Sequence, residues 1–227
     1  MRLRAIQPCD SSASATRRWR LVCMPGVIGL LGVIAAPALP CAHGRLAAQE
    51  ALVRPAPPLA SFAAMRVAIF PVQLWRADTS AWSRAVDWTA TRAALDSSIT
   101  DVLQERGMGR RWAYSSDVVR SARRNPTYTT DPYALGVGRW RNAAPKAGDE
   151  LPQIVADNMR PFTALGDARY ALIPVELRAD GANVVLRLVM ADTRGRRVVW
   201  AGDLLAPGGA TLEGTLATLV ANLVIEP

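Results

Sequence analysis

Imidazole and thiol groups are confined to one end of this chain. The 3 Cys and 1 His are Cys9, Cys23, Cys41 and His43, and neither group recurs between Gly44 and Pro227. A body without them has no His-based triad, no Cys nucleophile and no thiolate or imidazole metal site. We expect it to hold no catalytic residue, no metal and no cofactor. Carboxylates remain. Asp149 and Glu150 are adjacent, a pair that suits a helix N-terminus with its partial positive charge. Asp96, Asp101 and Glu105 share a helical pattern with Arg92 and Arg106. They read as solvated ion pairs rather than an acid–base couple. A carboxylate-based hydrolase would need two acids about 5–9 Å apart across one cleft. Gly136-Val137-Gly138 lacks the further glycines, the following helix and the Lys of a phosphate loop.

Binding chemistry has one candidate, the cluster Tyr128, Tyr133, Arg139, Trp140 and Arg141. Aromatic and Arg side chains make most interface anchors. The competing reading folds this segment back and uses Trp140 to cover the core, since an aromatic ring supplies large buried area either way. Trp75, Trp82 and Trp88 read as core edge rather than a sugar platform. Arg110-Arg111-Trp112 has the chemistry to stack on bases, but export, argued next, leaves no nucleic-acid partner.

The first 48 residues read as a targeting segment. Arg2, Arg4, Arg17, Arg18 and Arg20 precede an uncharged run from Leu21 to Leu39 (LVCMPGVIGLLGVIAAPAL), and small residues follow. That order is the secretory-signal pattern, with Ala42-His43-Gly44 and Leu46-Ala47-Ala48 as cleavage sites. The alternative is a retained anchor through residues 21–39, close to the roughly 20 residues that span a bilayer. Pro25 and Pro37 weaken that helix. Arg17-Arg18 makes a poor twin-arginine signal, with Arg20 where an apolar residue belongs, and Pro40 before Cys41 spoils a lipobox. Six Arg against Asp10 place +5 of the formal +8 in residues 1–48 and leave +3 for the rest. A charge that small and spread serves solubility rather than nucleic-acid binding. We expect a periplasmic or secreted protein that meets a membrane only through its N-terminal segment. About 180 residues can bury a stable core without disulfides.

Residues 49–65 are Pro/Ala-rich and read as a linker; a single domain follows over 66–227. Arg66–Val72 is an apolar, β-branched strand that Pro71 should end. Leu95, Ile99, Val102 and Leu103 mark one face of a helix, capped by Asp87 or Thr89 and stopped at Gly107. Trp112 lies in a short strand. Ser115 or Ser116 caps a helix that Asn125-Pro126 ends. Residues 126–150 have no period and form a loop longer than ordinary connections. Pro152 starts another helix, and Pro161 ends or kinks it. Three strands follow at 169–178, 184–191 and 197–205, joined by links too short for anything but an antiparallel meander. In the middle strand Val185, Arg187 and Val189 alternate with Val184, Leu186, Leu188 and Met190, so one face should be drier. Thr211 caps a last helix striped with Leu212, Leu216, Leu219, Val220 and Leu223. The fold class is α/β (α+β), a mixed sheet of about five strands with a C-terminal antiparallel meander and helices packed on it.

Three segments carry a family resemblance: Arg66-Val67-Ala68-Ile69-Phe70-Pro71, Gly166–Val175 (GDARYALIPV) and Leu186–Trp200 (LRLVMADTRGRRVVW). They resemble stretches of an exported bacterial α/β group, which includes the TolB amino-terminal domain, CsgG and LpoB. The resemblance spans about residues 66–225. The chain departs from that group in having no propeller, no long amphipathic hairpins and no good lipobox. The resemblance implies a non-enzymatic envelope protein that binds a protein partner. A glycan-binding module, which needs exposed coplanar aromatics, and a carboxylate-based envelope hydrolase stand as alternatives. The oligomeric state is open.

Overall fold

The computed structural model describes residues 59–79, 81–108, 111–208 and 211–223. The expected targeting segment, with its Cys and His residues, lies outside the described residues, as does most of the expected linker. The end of that linker stretch is not free chain. Leu59–Phe62 is a 3-10 helix with Leu59 fully buried, and the Phe62 ring meets Tyr170 edge-on at 5.0 Å.

Strand β1 is Val67–Ile69 and β2 is Leu74–Arg76. They are two pieces of one extended run broken at Pro71. Phe70 N–H still donates to the Leu172 carbonyl, and Gln73 N–H to that of Pro174. Between them Val72 N–H turns away from the sheet, to the Asp96 carboxylate. Helix α1 (Ala81–Arg84) is short. Helix α2 (Trp88–Glu105) starts where Asp87 accepts from Thr89 N and Ala90 N. Its buried face is Thr91, Leu95, Ile99 and Leu103. Each of the three aliphatic residues contributes roughly 1.5–3 kcal/mol by leaving water. Gly107 follows at φ +83°, the left-handed turn that glycine accepts freely.

Strand β3 (Trp112–Ala113) leads into α3 (Ser115–Arg124). The expected serine cap is replaced. Tyr114 is the N-cap, and Asp117 reaches back to accept from Tyr114 N–H. Helix α4 (Gln153–Leu165) passes through Pro161 and ends only at Gly166. The meander is β4 (Tyr170–Asp180), β5 (Asn183–Asp192) and β6 (Arg197–Pro207), and α5 (Leu212–Ala221) closes the chain from the Thr211 cap.

The six strands form one mixed sheet in the order β3-β1-β4-β5-β6, with β2 also on β4. The pairs β1–β3, β1–β4 and β2–β4 are parallel; β4–β5 and β5–β6 are antiparallel. One face packs on α2 and α5 through Leu172, Leu186, Leu188 and Met190. The other packs on α4 and the 126–150 segment through Ile173, Val175, Val189 and Ala201. Residues 184–191 of β5 are therefore all buried, and neither face is the wetter one. Among the described residues no helix is long and apolar enough to cross a membrane.

Two bulges decide which side chains share a face. The register of β4 against β5 shifts between Pro174 and Glu176. Proline has no N–H for a ladder, and a bulge is where a central strand tolerates it. The extra residue puts Val175 and Glu176 on the same face. Without it, Glu176 would point into the apolar packing of α2 and α5. The second shift, opposite Met190 and Ala191, leaves Val199 unpaired in β6.

Candidate functional site

Residues 126–150 form a strap, packed across the second face of the sheet. Pro132, Leu135, Val137, Trp140 and Pro145 are buried along it, and Val137–Arg141 is a 3-10 helix. Gln73 holds one end. Its amide donates to the carbonyls of Pro71 (2.7 Å) and Pro132 (2.9 Å) and accepts from Leu135 N–H (3.0 Å). Asp131 accepts from Tyr133 N–H at 2.9 Å, an Asx turn. Gly136 turns the chain at φ +83°.

A ladder of charged side chains holds the other end. The β-register sets Glu176 opposite Arg187, and Arg187 opposite Asp203. Arg187 grips Asp203 in a fork, Nε to Oδ1 at 2.8 Å and Nη2 to Oδ2 at 3.0 Å. Arg178 adds a third contact to Asp203 at 3.2 Å. Arg187 Nη1 donates upward to the carbonyls of Trp140 (2.8 Å) and Arg141 (3.2 Å). Glu176 is fully buried and takes two guanidiniums, Arg76 at 2.6 Å and Arg141 at 2.8 Å. Such a carboxylate is stable in a dry place only while it is paired. Burial alone would raise the Asp203 carboxyl, but the hydrogen bonds and charges of Arg187 and Arg178 outweigh it and hold it below its ordinary value. The Asp203 hydrogen bond holds Arg187 above its own, against the opposing effect of burial.

The five candidate residues separate on this scaffold. Trp140 is 5% exposed and belongs to the core under the strap, the covering role weighed above. Arg141 turns inward to Glu176, though 37% of its side chain stays open, as does 39% of Arg76. Tyr128 stands out at 56% exposed, and Arg139 is exposed. Tyr133 is half-buried, with the Arg92 guanidinium 3.9 Å from its ring centroid. Over the strap and ladder, five arginines (76, 139, 141, 178 and 187) and Lys146 face five acids (Asp131, Asp149, Glu150, Glu176 and Asp203), so the charges nearly balance.

Several expectations for the acids change. Asp149 and Glu150 do not open a helix. The Glu150 backbone forms an isolated antiparallel β-bridge with that of Arg197 at the outer edge of β6, and Asp149 closes a turn by accepting from Lys146 N–H at 2.7 Å. Among the described residues Arg106 pairs with no acid; its guanidinium donates to the carbonyls of Ala221 and Leu223 at the end of α5. Arg92 lies over Trp88 and Tyr133 rather than in a solvated pair. Asp96 is the largest departure. Burial pushes its carboxyl up to about 7, with the Val72 N–H at 3.0 Å and the charge of Arg92 acting against the rise. Trp75 and Trp88 stack on each other at 6.2 Å and 15°, both half-buried, and so close their own faces. Among the described residues no group of His, Cys, Asp or Glu is placed to hold a metal ion.

The ladder is the part of this face hardest to find by motif, yet half of it is countable. Starting from the turn at Asp180–Asn183, strict antiparallel pairing brings Glu176 opposite Arg187. Each is a lone charge in an apolar run.

No protein-family model and no curated protein matches the chain. Among solved structures, the C-terminal domain of LpoB from Salmonella enterica is similar at a TM-score of 0.41 and 12% identity, over 66% of this chain and 93% of that one. The PelC L103M dodecamer from Paraburkholderia phytofirmans gives 0.38 and 14%, over 75% and 92%. Lipoprotein GNA1162 from Neisseria meningitidis gives 0.35 and 15%, over 69% and 93%.

Proposed function

We propose that this chain is an exported, non-enzymatic envelope protein whose domain docks onto a protein partner through the 126–150 strap. The observation that carries the reading is the pinning of the strap's backbone from beneath by Gln73 and Arg187. A segment fixed in this way loses little conformational freedom on binding. Tyr128 and Arg139 are its outward anchors, and Tyr133 borders them. Trp140 and Arg141 position the anchors from inside. The exposed guanidinium of Arg139 suits a carboxylate on the partner, a charge pairing that fixes register. A hydrolase gains little here. Both oxygens of Glu176 are taken up by guanidiniums, and Arg187 and Arg178 hold the Asp203 carboxyl below its ordinary value, which makes Asp203 a poor proton carrier at neutral pH.

The test is capture of a partner from envelope extract by the full chain and by a Tyr128→Ala/Arg139→Ala double variant. The reading expects one protein retained by the parent and at least about tenfold less of it on the variant, since each anchor is worth about 1 kcal/mol or more. Thermal unfolding of the two should coincide, because both substitutions lie outside the core. Equal retention by parent and variant would refute the assignment. Replacing Trp140 or Arg141 instead would confound docking with folding.

A further inference from the structure

A concavity lies between α2 and α3, next to the strap. It is a cleft of about 460 Å³, lined by Asp96, Ser97 and Thr100 from α2, Ser115, Ser116, Arg120 and Arg123 from α3, and Tyr133 from the strap. That volume falls within the roughly 300–1,000 Å³ of small-molecule sites. One wall carries a carboxyl held by a backbone N–H, and the other carries guanidiniums and hydroxyls. Arg120 is committed to Asp117 at 3.0 Å. The Arg92 guanidinium lies over one face of Tyr133, so that ring presents no free platform on that side. Arg92, on the same helix, is the charge that acts on Asp96; Arg120 and Arg123 on α3 and Tyr133 line the same cleft, and the β1 exit, Phe70–Gln73, adds no group that titrates.

We propose that this cleft binds a small hydroxylated oxyanion of the sugar-acid kind, its acid group on Arg123 and its alcohols on the Ser115 and Ser116 hydroxyls and the Asp96 carboxyl. Arg supplies the planar fork that a carboxylate takes up. Asp96 serves best when protonated: it then donates a hydrogen bond to an alcohol and carries no charge against the anion. Burial lifts its carboxyl to about 7, within reach of the proton at neutral pH. The proposal does not rest on partner docking at the strap, although Tyr133 borders both places.

The experiment is titration calorimetry of the full chain with D-glucuronate, with D-glucose and inorganic phosphate as controls, at pH 6 and pH 8. Expected are saturable binding of D-glucuronate at pH 6, at least about tenfold weaker binding of both controls, and weakening of D-glucuronate at pH 8. Arg123→Ala, an exposed change in the last turn of α3, should cost at least about tenfold, the range of a hydrogen bond to a charged group. Asp96→Asn keeps the acceptor for Val72 N–H and should bind equally at the two pH values. No saturable binding of D-glucuronate, equal binding of either control, an unaffected Arg123→Ala variant or a pH-independent parent would each overturn the proposal.

Discussion

Glu176 shows how a single side chain ties the sheet to the strap. Its carboxylate is fully buried and meets Arg76 from β2 and Arg141 from the strap. Glu176→Gln leaves two guanidiniums short of their counter-charge. Removing one partner of a buried pair costs about 3–5 kcal/mol, here discounted because both arginines are more than a third exposed and water screens them. We expect a loss of about 1–3 kcal/mol in urea unfolding, with the strap more open to protease. Asp96 and Asp203 make opposite contributions with pH. The folded pKa of Asp96 is raised, so its contribution is present in full below the unfolded value of 3.8 and fades as pH rises through about 7. That of Asp203 is lowered, so its contribution is present above the same unfolded value and is lost as pH falls through the lower folded one. Unfolding free energy of the parent should therefore fall between pH 4 and pH 7 by on the order of 2–4 kcal/mol from Asp96 alone. Asp96→Asn should flatten that slope; an unchanged slope in the variant would show that another group is responsible.

The elements differ in how plainly the chain announces them. Helix α2 was legible because Leu95, Ile99 and Leu103 keep a helical period between Asp87 and Gly107, and packing agrees with propensity there. The meander was legible because its turns are too short for a crossover. Strand β2 was not: three half-buried residues behind Pro71 have no pattern, and only pairing with β4 makes them a strand. The strap was not, because its burial comes from distant groups, Gln73 and Arg187, rather than from its own period. Of the ladder, Glu176 and Arg187 could be counted from a turn, but Asp203 could not. The bulge at Val199 moves the partner of Arg187 from Gly202 to Asp203. The strap's path also depends on Gly136 at φ +83°. A Cβ there would lie 3.1 Å from Ile154 Cγ2, and Ile154 is exposed enough to yield. The backbone conformation is then the main cost. Gly136→Ala should lose about 1–2 kcal/mol and Gly136→Asn less, since Asn tolerates the left-handed region. Equal losses in thermal unfolding would point to crowding instead.

Over the whole molecule, the sheet is covered on both faces, by α2 and α5 on one and by α4 and the strap on the other. A closed core of this kind leaves chemistry to the surface. What the surface offers near the strap is a guanidinium-rich rim, an outward tyrosine and a backbone held from below. A loop fixed on a rigid sheet suits the docking role proposed for it, because little conformational freedom is lost on binding. Site-directed photo-crosslinking in the native envelope tests this most directly, with the photoreactive residue at position 128 and, as a control, at Glu213 on the exposed side of α5. The account predicts a discrete protein adduct from position 128 that fades when Arg139 is changed to Ala, and none from position 213. Adducts of equal yield from both positions, or none from 128, would contradict it.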